Sequence, residues 1–555
     1  MASTVTESKT APAATIEVPH KGEAPPCVPW PIPPPNPALE VQYTRVFIDN
    51  EWVDAVAGDT FDDINPANES VIAKVAEGTK ADVDKAVAAA KRAFQPGSPW
   101  RKMDASDRGV LLTKLADLVD ANKHYLACLE TLDSGKPYLH TFFMDTTGIS
   151  KLLRYYAGWT DKIHGKTVPV DGDYLSYTLV QPMGVCGLIL PWNMPLISLG
   201  MKIGPALCAG NTIVVKPDEQ TPLTTLFIAS LAKEAGFPVG VFNVVPGGPV
   251  AGAAIVDHHD VNKVSFTGSI EVGRKIQEAS SKTNLKRLTL ELSGNCPNIV
   301  FADADIDYAV EQSHQAVFMN QGQMCTAGAR TFVHEDIYDE FVAKSVARAQ
   351  KKIVTDPFQM FSEQGPQISK KHFDQIMEYV ASGIEEGAKL ECGGARQGEE
   401  GFYIQPTVFS NVKDEMRIAR EEIFGPVQCI FKFKMIDEVI RRSNHTDYGL
   451  AAGIFTRDVG AALEMAKALE SGTVWVNCYN AFAVQSPFGG MKMSGKGKEM
   501  GEESLWEFSE IKTVTLKLPQ LQNISFSSNA TKQYSAPVLP AKDDGMGKKT
   551  VNGSS

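Results

Sequence analysis

Short apolar, β-branched runs recur along the middle of the chain, each followed by room for one helix. No other feature constrains the fold as tightly. The runs cover residues 185–190, 212–215, 241–245, 261–266 and 288–292, with helical patterns between them at 221–234 and 270–282. Runs this short and this continuously apolar read as strands buried on both faces, and strands alternating with helices imply a mostly parallel, doubly wound α/β sheet. After Gly294 a second strand–helix series begins, with helical patterns at 309–320 and 337–352. Nearer the start, Thr79-Lys80-Ala81-Asp82 resembles a capping box before Val83, Val87, Ala90 and Phe94 at helical spacing, and 106–130 continues as helix. Segments 166–180 and 505–518 alternate polar and apolar residues instead, as in Tyr174-Leu175-Ser176-Tyr177-Thr178-Leu179. They are expected to be exposed strands that pair with each other or with another subunit.

A chain of 555 residues exceeds one compact core, so two or three domains are expected. The net charge of −12 speaks against a nucleic-acid partner, which would need clustered Lys and Arg. The uncharged stretch 184–201 is interrupted by Pro191, Asn193 and Pro195, so it reads as a buried strand running into an irregular loop rather than a membrane span. Nine cysteines without a C-x-x-C pair fit a reducing compartment, cytoplasmic by expectation, and neither H-E-x-x-H nor a Cys/His cluster suggests a metal. Residues 1–40 hold ten prolines, and 519–555 are rich in Ser, Asn and Lys; both read as disordered tails. Asn523, Asn529 and Asn552 in the second tail fit the glycosylation sequon, read as chance matches.

Cys325 stands in Asn320-Gln321-Gly322-Gln323-Met324-Cys325-Thr326-Ala327-Gly328, small and polar residues that read as a loop entering a helix. Backbone N–H groups there would favour a thiolate, whereas Cys186 and Cys429 lie in apolar strands as inert thiols would. Glu291, in Leu290-Glu291-Leu292, is either a strand-end carboxylate facing water or a partly desolvated base able to take a proton from water. Asn193, in Pro191-Trp192-Asn193-Met194-Pro195, is either a turn residue or a rigid amide donor for an oxyanion. The Gly-x-Gly-x-x-Gly fingerprint follows none of the five runs. Instead Thr267-Gly268-Ser269-Ile270-Glu271-Val272-Gly273 opens a helix with a turn that suits phosphate, or is simply sharp. Lys216-Pro217-Asp218-Glu219 follows another run, with carboxylates that could meet ribose hydroxyls.

Taken in order, these pieces resemble the aldehyde dehydrogenase superfamily from about Val46 to Leu518, and within it the cytosolic class 1, retinal dehydrogenase-like branch. The resemblance rests on Pro191-Trp192-Asn193, 216–222, 266–273, 290–294, 322–325, Glu421-Glu422-Ile423-Phe424-Gly425-Pro426 and Ser486-Pro487-Phe488-Gly489-Gly490, together with the spacing from Glu291 to Cys325. It implies NAD-dependent oxidation of an aldehyde through a thiohemiacetal and thioester on Cys325, with Asn193 holding the oxyanion and Glu291 activating water. It further implies that Ile189, Leu190, Trp192, Lys216, Glu219, Gly268, Ser269, Val272, Gly273, Glu422 and Phe424 bind NAD. Glu219 would repel a 2′-phosphate, which favours NAD over NADP. Gly148, Met194, Ile197, Met201, Met319, Phe482 and Phe488 would line the aldehyde tunnel. Glycine at 148 widens it and the methionines are pliable, so a bulky apolar aldehyde, long aliphatic or retinal-like, is expected. His372 stands where the family often has Gln or Asn.

The implied architecture is an α/β fold: a Rossmann-like NAD-binding domain (41–159 and 183–294), an α/β catalytic domain (295–493), and a small β oligomerisation arm (160–182 and 505–518) building a homotetramer. Two rivals remain at this stage. A structural, crystallin-like protein recruited from the fold would tolerate loss of Cys325 or Glu291, and both are present. A coenzyme A-acylating relative would not need Glu291.

Overall fold

The computed structural model describes residues 32–518; the sequon-bearing tail and the first thirty-one residues lie outside them. The five apolar runs form strands Val185–Ile189, Thr212–Lys216, Phe242–Val244, Lys263–Thr267 and Arg287–Glu291, all parallel. In the eight-stranded sheet they stand in the spatial order 287, 263, 185, 212, 242, flanked by antiparallel Gly495–Lys496 on one side and by Val46–Ile48 and Glu51–Val53 on the other. The chain thus winds one way from 185 to 242 and then returns to the opposite side for 263 and 287. The reversal lies between Val185–Ile189 and Lys263–Thr267, and ligands of such sheets bind beyond the carboxyl ends of the strands at that switch point.

Helices cover both faces, as doubly buried strands require. Ile213 and Val215 belong to one core cluster with Leu112, Leu152, Leu199 and Leu226, while Val214, between them, belongs to another with Val87, Ile255 and Ile276. Each fully buried aliphatic side chain contributes about 1.5–3 kcal/mol. Helix Pro195–Cys208 continues the uncharged stretch that the sequence suggests is an irregular loop. Pro195 is tolerated in the first turn, and Gly204 lets the helix press onto Tyr156, where a Cβ would stand 2.5 Å from the ring. Ile197 and Met201 lie on nearly the same side of this helix as Gly204, and both line the cleft described below.

The second series forms a seven-stranded sheet in the order Lys389–Cys392, Thr407–Ser410, Val427–Phe433, Arg330–His334, Pro297–Val300, Ala451–Phe455 and Thr473–Val476, parallel except at Lys389–Cys392. A small third sheet joins Ser509–Lys517, Tyr174–Pro182 and Thr167–Val168. The chain separates into two compact units. Among the described residues the smaller comprises Gly165–Leu179 with 511–518, and both larger sheets lie in the other.

Three sequence expectations need correction here. Leu505–Glu507 is not strand but the end of helix Glu503–Glu507, because Leu505 and Phe508, three apart, both enter the core. Residues 160–166 precede the strand, in turns such as Lys162 N–H to Trp159 O. Residues 32–40, assigned to a disordered tail, pack: Ile32 and Leu39 meet Cys128, Tyr138 and Phe142, the Tyr138 hydroxyl donates to Pro33 O at 3.0 Å, and the Tyr125 hydroxyl donates to Glu40 O at 2.7 Å.

Candidate active site

At the switch point a cleft of about 1130 Å³ opens, and it is lined by nearly every residue singled out in the sequence: Cys325, Glu291 and Asn193, the residues proposed for the cofactor, and all seven proposed for the tunnel. Gly273 is the exception. It lies within the helix Ile270–Lys282, on its buried side and not in the cleft, and a Cβ there would stand 2.8 Å from Leu292, so it serves the packing of the helix on the sheet.

Cys325 sits in a turn leading to strand Arg330–His334, not at the start of a helix as its small neighbours suggest. Before it the backbone takes three left-handed residues in succession, Asn320 (φ 48°), Gln321 (φ 58°) and Gly322 (φ 75°). Two of these carry side chains, and such residues cost of order 1–3 kcal/mol each unless their surroundings hold them. Here they are held: Asn320 Nδ2 donates to Asn193 O (3.0 Å), Gln321 Nε2 to Pro366 O (3.1 Å), and Gln323 Oε1 accepts from Ile368 N–H (3.0 Å). Asn193 Nδ2 donates to Gln323 O at 2.9 Å, which fixes the amide beside the cysteine loop and leaves its second N–H for a ligand.

No helix start lowers the Cys325 thiol. Burial, then the Glu291 and Glu422 carboxylates, push its pKa well up, opposed by its own backbone N–H. Cys186, Cys296 and Cys429 are pushed to about 12 by burial as well, so what separates Cys325 from them is its opening to the cleft. Glu291 ends its strand buried rather than facing water. Desolvation, then the neighbouring Glu499, raise its pKa well above the carboxylate range, and its Oε1 has no hydrogen-bond partner.

Glu499 is itself paired with buried Lys202, whose ammonium also donates to Thr267 Oγ1 (2.8 Å) and Ser265 Oγ (3.2 Å). The sequence offered one clue to this pair: Lys202 is the lone charge closing an uncharged stretch.

At the other end of the cleft, Ser269 caps the helix Ile270–Lys282 by accepting from Val272 N–H. Lys216 Nζ lies 3.0 Å from Glu219 Oε2. Glu422 is pushed up to about 7 by burial and accepts from Gly294 N–H at 2.9 Å. Trp192, His372 and Phe424 meet edge to face with centroids 5.3–5.9 Å apart. His372, which the sequence marked only as a departure, lines this end too. The remaining wall is largely apolar. Phe482 and Phe488 meet at 5.4 Å, and a Cβ at Gly148 would press on Ile197 at 3.1 Å, so glycine there keeps the passage wide.

Residues 52–514 match the model of the aldehyde dehydrogenase family. Over 490 residues, 88% of this chain and 95% of the relative, the sequence is 59% identical to retinal dehydrogenase 2 of Homo sapiens. It is 59% identical over the same length, and 98% of the relative, to an aldehyde dehydrogenase of Mesocricetus auratus named as mitochondrial. Among solved structures, the NAD+ complex of the aldehyde dehydrogenase from Bacillus cereus superposes with a TM-score of 0.85 at 46% identity, covering 86% of this chain and 97% of that one.

Proposed function

The chain belongs to the aldehyde dehydrogenase family and oxidises an aldehyde with NAD, and from that premise we propose that Cys325, Glu291 and Asn193 perform the chemistry on a bulky, apolar aldehyde. One observation carries the assignment. A thiol and a buried carboxylate with an unpaired oxygen line the same cleft, beside an amide already oriented by Gln323. The comparisons give no support to a structural, crystallin-like role.

The residues of the cleft fit NAD. The first turn of the helix after Ser269 offers N–H groups to a pyrophosphate, with Gly268 and Val272 beside it. Lys216 and Glu219 suit the adenosine ribose, Glu422 and Phe424 the nicotinamide ribose, and Ile189, Leu190 and Trp192 the wall between. When bound, NAD supplies the acceptor for the hydride that leaves the aldehyde carbon. The Cys325 sulfur attacks that carbon first, and the free N–H of the Asn193 amide, with the Cys325 backbone N–H, takes the charge on oxygen. Once the carbon is oxidised to a thioester, Glu291 removes a proton from water, which adds to the carbonyl; the acid leaves and the thiol is restored.

The substrate reading draws on Gly148 and on the methionine-rich wall, and a relative named retinal dehydrogenase supports it. We assign 41–159 and 183–294 to cofactor binding, 295–493 to catalysis, and the strands within 167–182 and 509–518 to pairing between subunits of a homotetramer. Cytoplasmic residence is supported by the described cysteines, all of which are free.

NADH formation measured across acetaldehyde, decanal and retinal, beside Cys325→Ala, tests the core of this reading. Higher kcat/KM for decanal or retinal than for acetaldehyde is expected, with turnover abolished in the variant and NADP much poorer than NAD. A preference for acetaldehyde would overturn the substrate class, and turnover in Cys325→Ala would overturn the mechanism.

A further inference from the structure

Phe424 is held in a conformation that a phenylalanine does not choose. Its φ is 56°, in the left-handed region, which a residue with a bulky side chain keeps only where its neighbours over-determine it. Two neighbours come from one helix, Lys370–Glu385. His372 Nε2 lies 2.8 Å from the Phe424 carbonyl oxygen, and Ile376, one turn on, packs so closely on Gly425 that a Cβ there would stand 2.7 Å from Ile376 Cδ1.

We propose that His372 is a positioning residue of the cofactor end: its imidazole N–H holds the Phe424 carbonyl and so fixes the left-handed turn that presents Glu422 and Phe424 to the cleft. The proposal rests on the reading above that those two residues meet the nicotinamide ribose. A carbonyl oxygen only accepts, so Nε2 carries the proton and the tautomer is determined. Burial lowers the His372 pKa to about 4, which keeps the ring neutral and the tether unchanged across physiological pH. Trp192 meets the imidazole edge to face at 5.3 Å, and the backbone beneath the ring is anchored where Ser369 Oγ caps the helix by accepting from the His372 backbone N–H at 3.4 Å. The segment leading into the helix grips the cysteine loop through different residues, Pro366 O with Gln321 and Ile368 N–H with Gln323. Removing the His372 tether should therefore disturb the cofactor end and spare the nucleophile.

The test compares His372→Phe, which keeps an aromatic ring and loses the N–H, with His372→Gln, whose amide N–H has similar reach. KM for NAD should rise about fivefold or more in His372→Phe, with KM for the aldehyde within about twofold of the parent, and His372→Gln should restore KM for NAD. If the phenylalanine variant fails to fold, His372→Ala carries the same expectation. Unchanged KM for NAD, or a glutamine variant as impaired as phenylalanine, overturns the tether. So does an equal rise in both KM values. Phe424→Ala separates this from the underlying reading: if it leaves KM for NAD unchanged, the cofactor assignment of that loop fails, whereas a raised KM there beside a silent His372→Phe sinks the tether alone.

Discussion

At Cys325 and Glu291 burial works against the ionised form that each step needs. Both groups sit well above their ordinary pKa, so the resting cleft holds a neutral thiol beside a carboxyl that gives up its proton late. The sign for activity follows directly. In the proposed mechanism the nucleophile is a thiolate and the base a carboxylate, so both become competent only as pH rises, and turnover should climb from neutral toward alkaline pH. Glu291→Gln keeps the shape and removes the base. Rapid mixing with NAD and aldehyde should then show about one NADH per site formed quickly, followed by steady turnover about 10²–10⁴-fold slower than the parent. Undiminished steady turnover in that variant would remove Glu291 from the hydrolytic step. That these two residues belong together was legible in the sequence, because motif and order mark them, and both line one cleft. Their electrostatics were not: Glu499 and Lys202, which set the field around Glu291, stand 297 residues apart and meet only through the fold.

At the scale of elements, the five buried strands could be read directly, since a β-branched run without alternation has few other uses. The turn that carries Cys325 could not. Small residues after the cysteine suggest a helix start, but the conformation is set by the left-handed run before it, and that run is stabilised by Asn193, Pro366 and Ile368 from distant segments. The pivot is Gly322, where a Cβ would stand 2.0 Å from Gly425 O. Gly322→Ala should therefore lower Tm by several degrees, on the scale of a 1–3 kcal/mol loss or more in a chain of this size, and reduce turnover more than tenfold. Gly398 supplies the control. It has the same φ of 75° with nothing within 4 Å of a Cβ, so Gly398→Ala carries conformational strain alone. It should cost about 1 kcal/mol and leave turnover intact. Equal effects of the two variants on turnover would mean that packing against Gly425 does not govern the cysteine loop.

For the whole molecule, the small sheet raises a question of cover. The period of two places Leu175 and Leu179 on one face of their strand and Leu516 and Leu518 together on one face of theirs, while Ser176 meets Thr515, and Lys517 lies over the Tyr174 ring. The four leucines are 39–44% exposed in a single chain. Their alternation was visible in the sequence; what it could not show is that the helix Glu503–Glu507 takes Leu505 into the core and leaves only the strand that follows for pairing. Apolar side chains gathered on a short sheet favour burial against a like surface, and a closed assembly reuses the same face in each copy. Light scattering on the parent chain should thus return the mass of a tetramer. Leu179→Glu combined with Leu516→Glu should reduce that mass by placing like charges on the face proposed to pair, while far-ultraviolet circular dichroism stays unchanged because neither residue is in a core. A monomeric parent would overturn the tetramer, and a tetramer that survives both charges would move the contact away from this sheet.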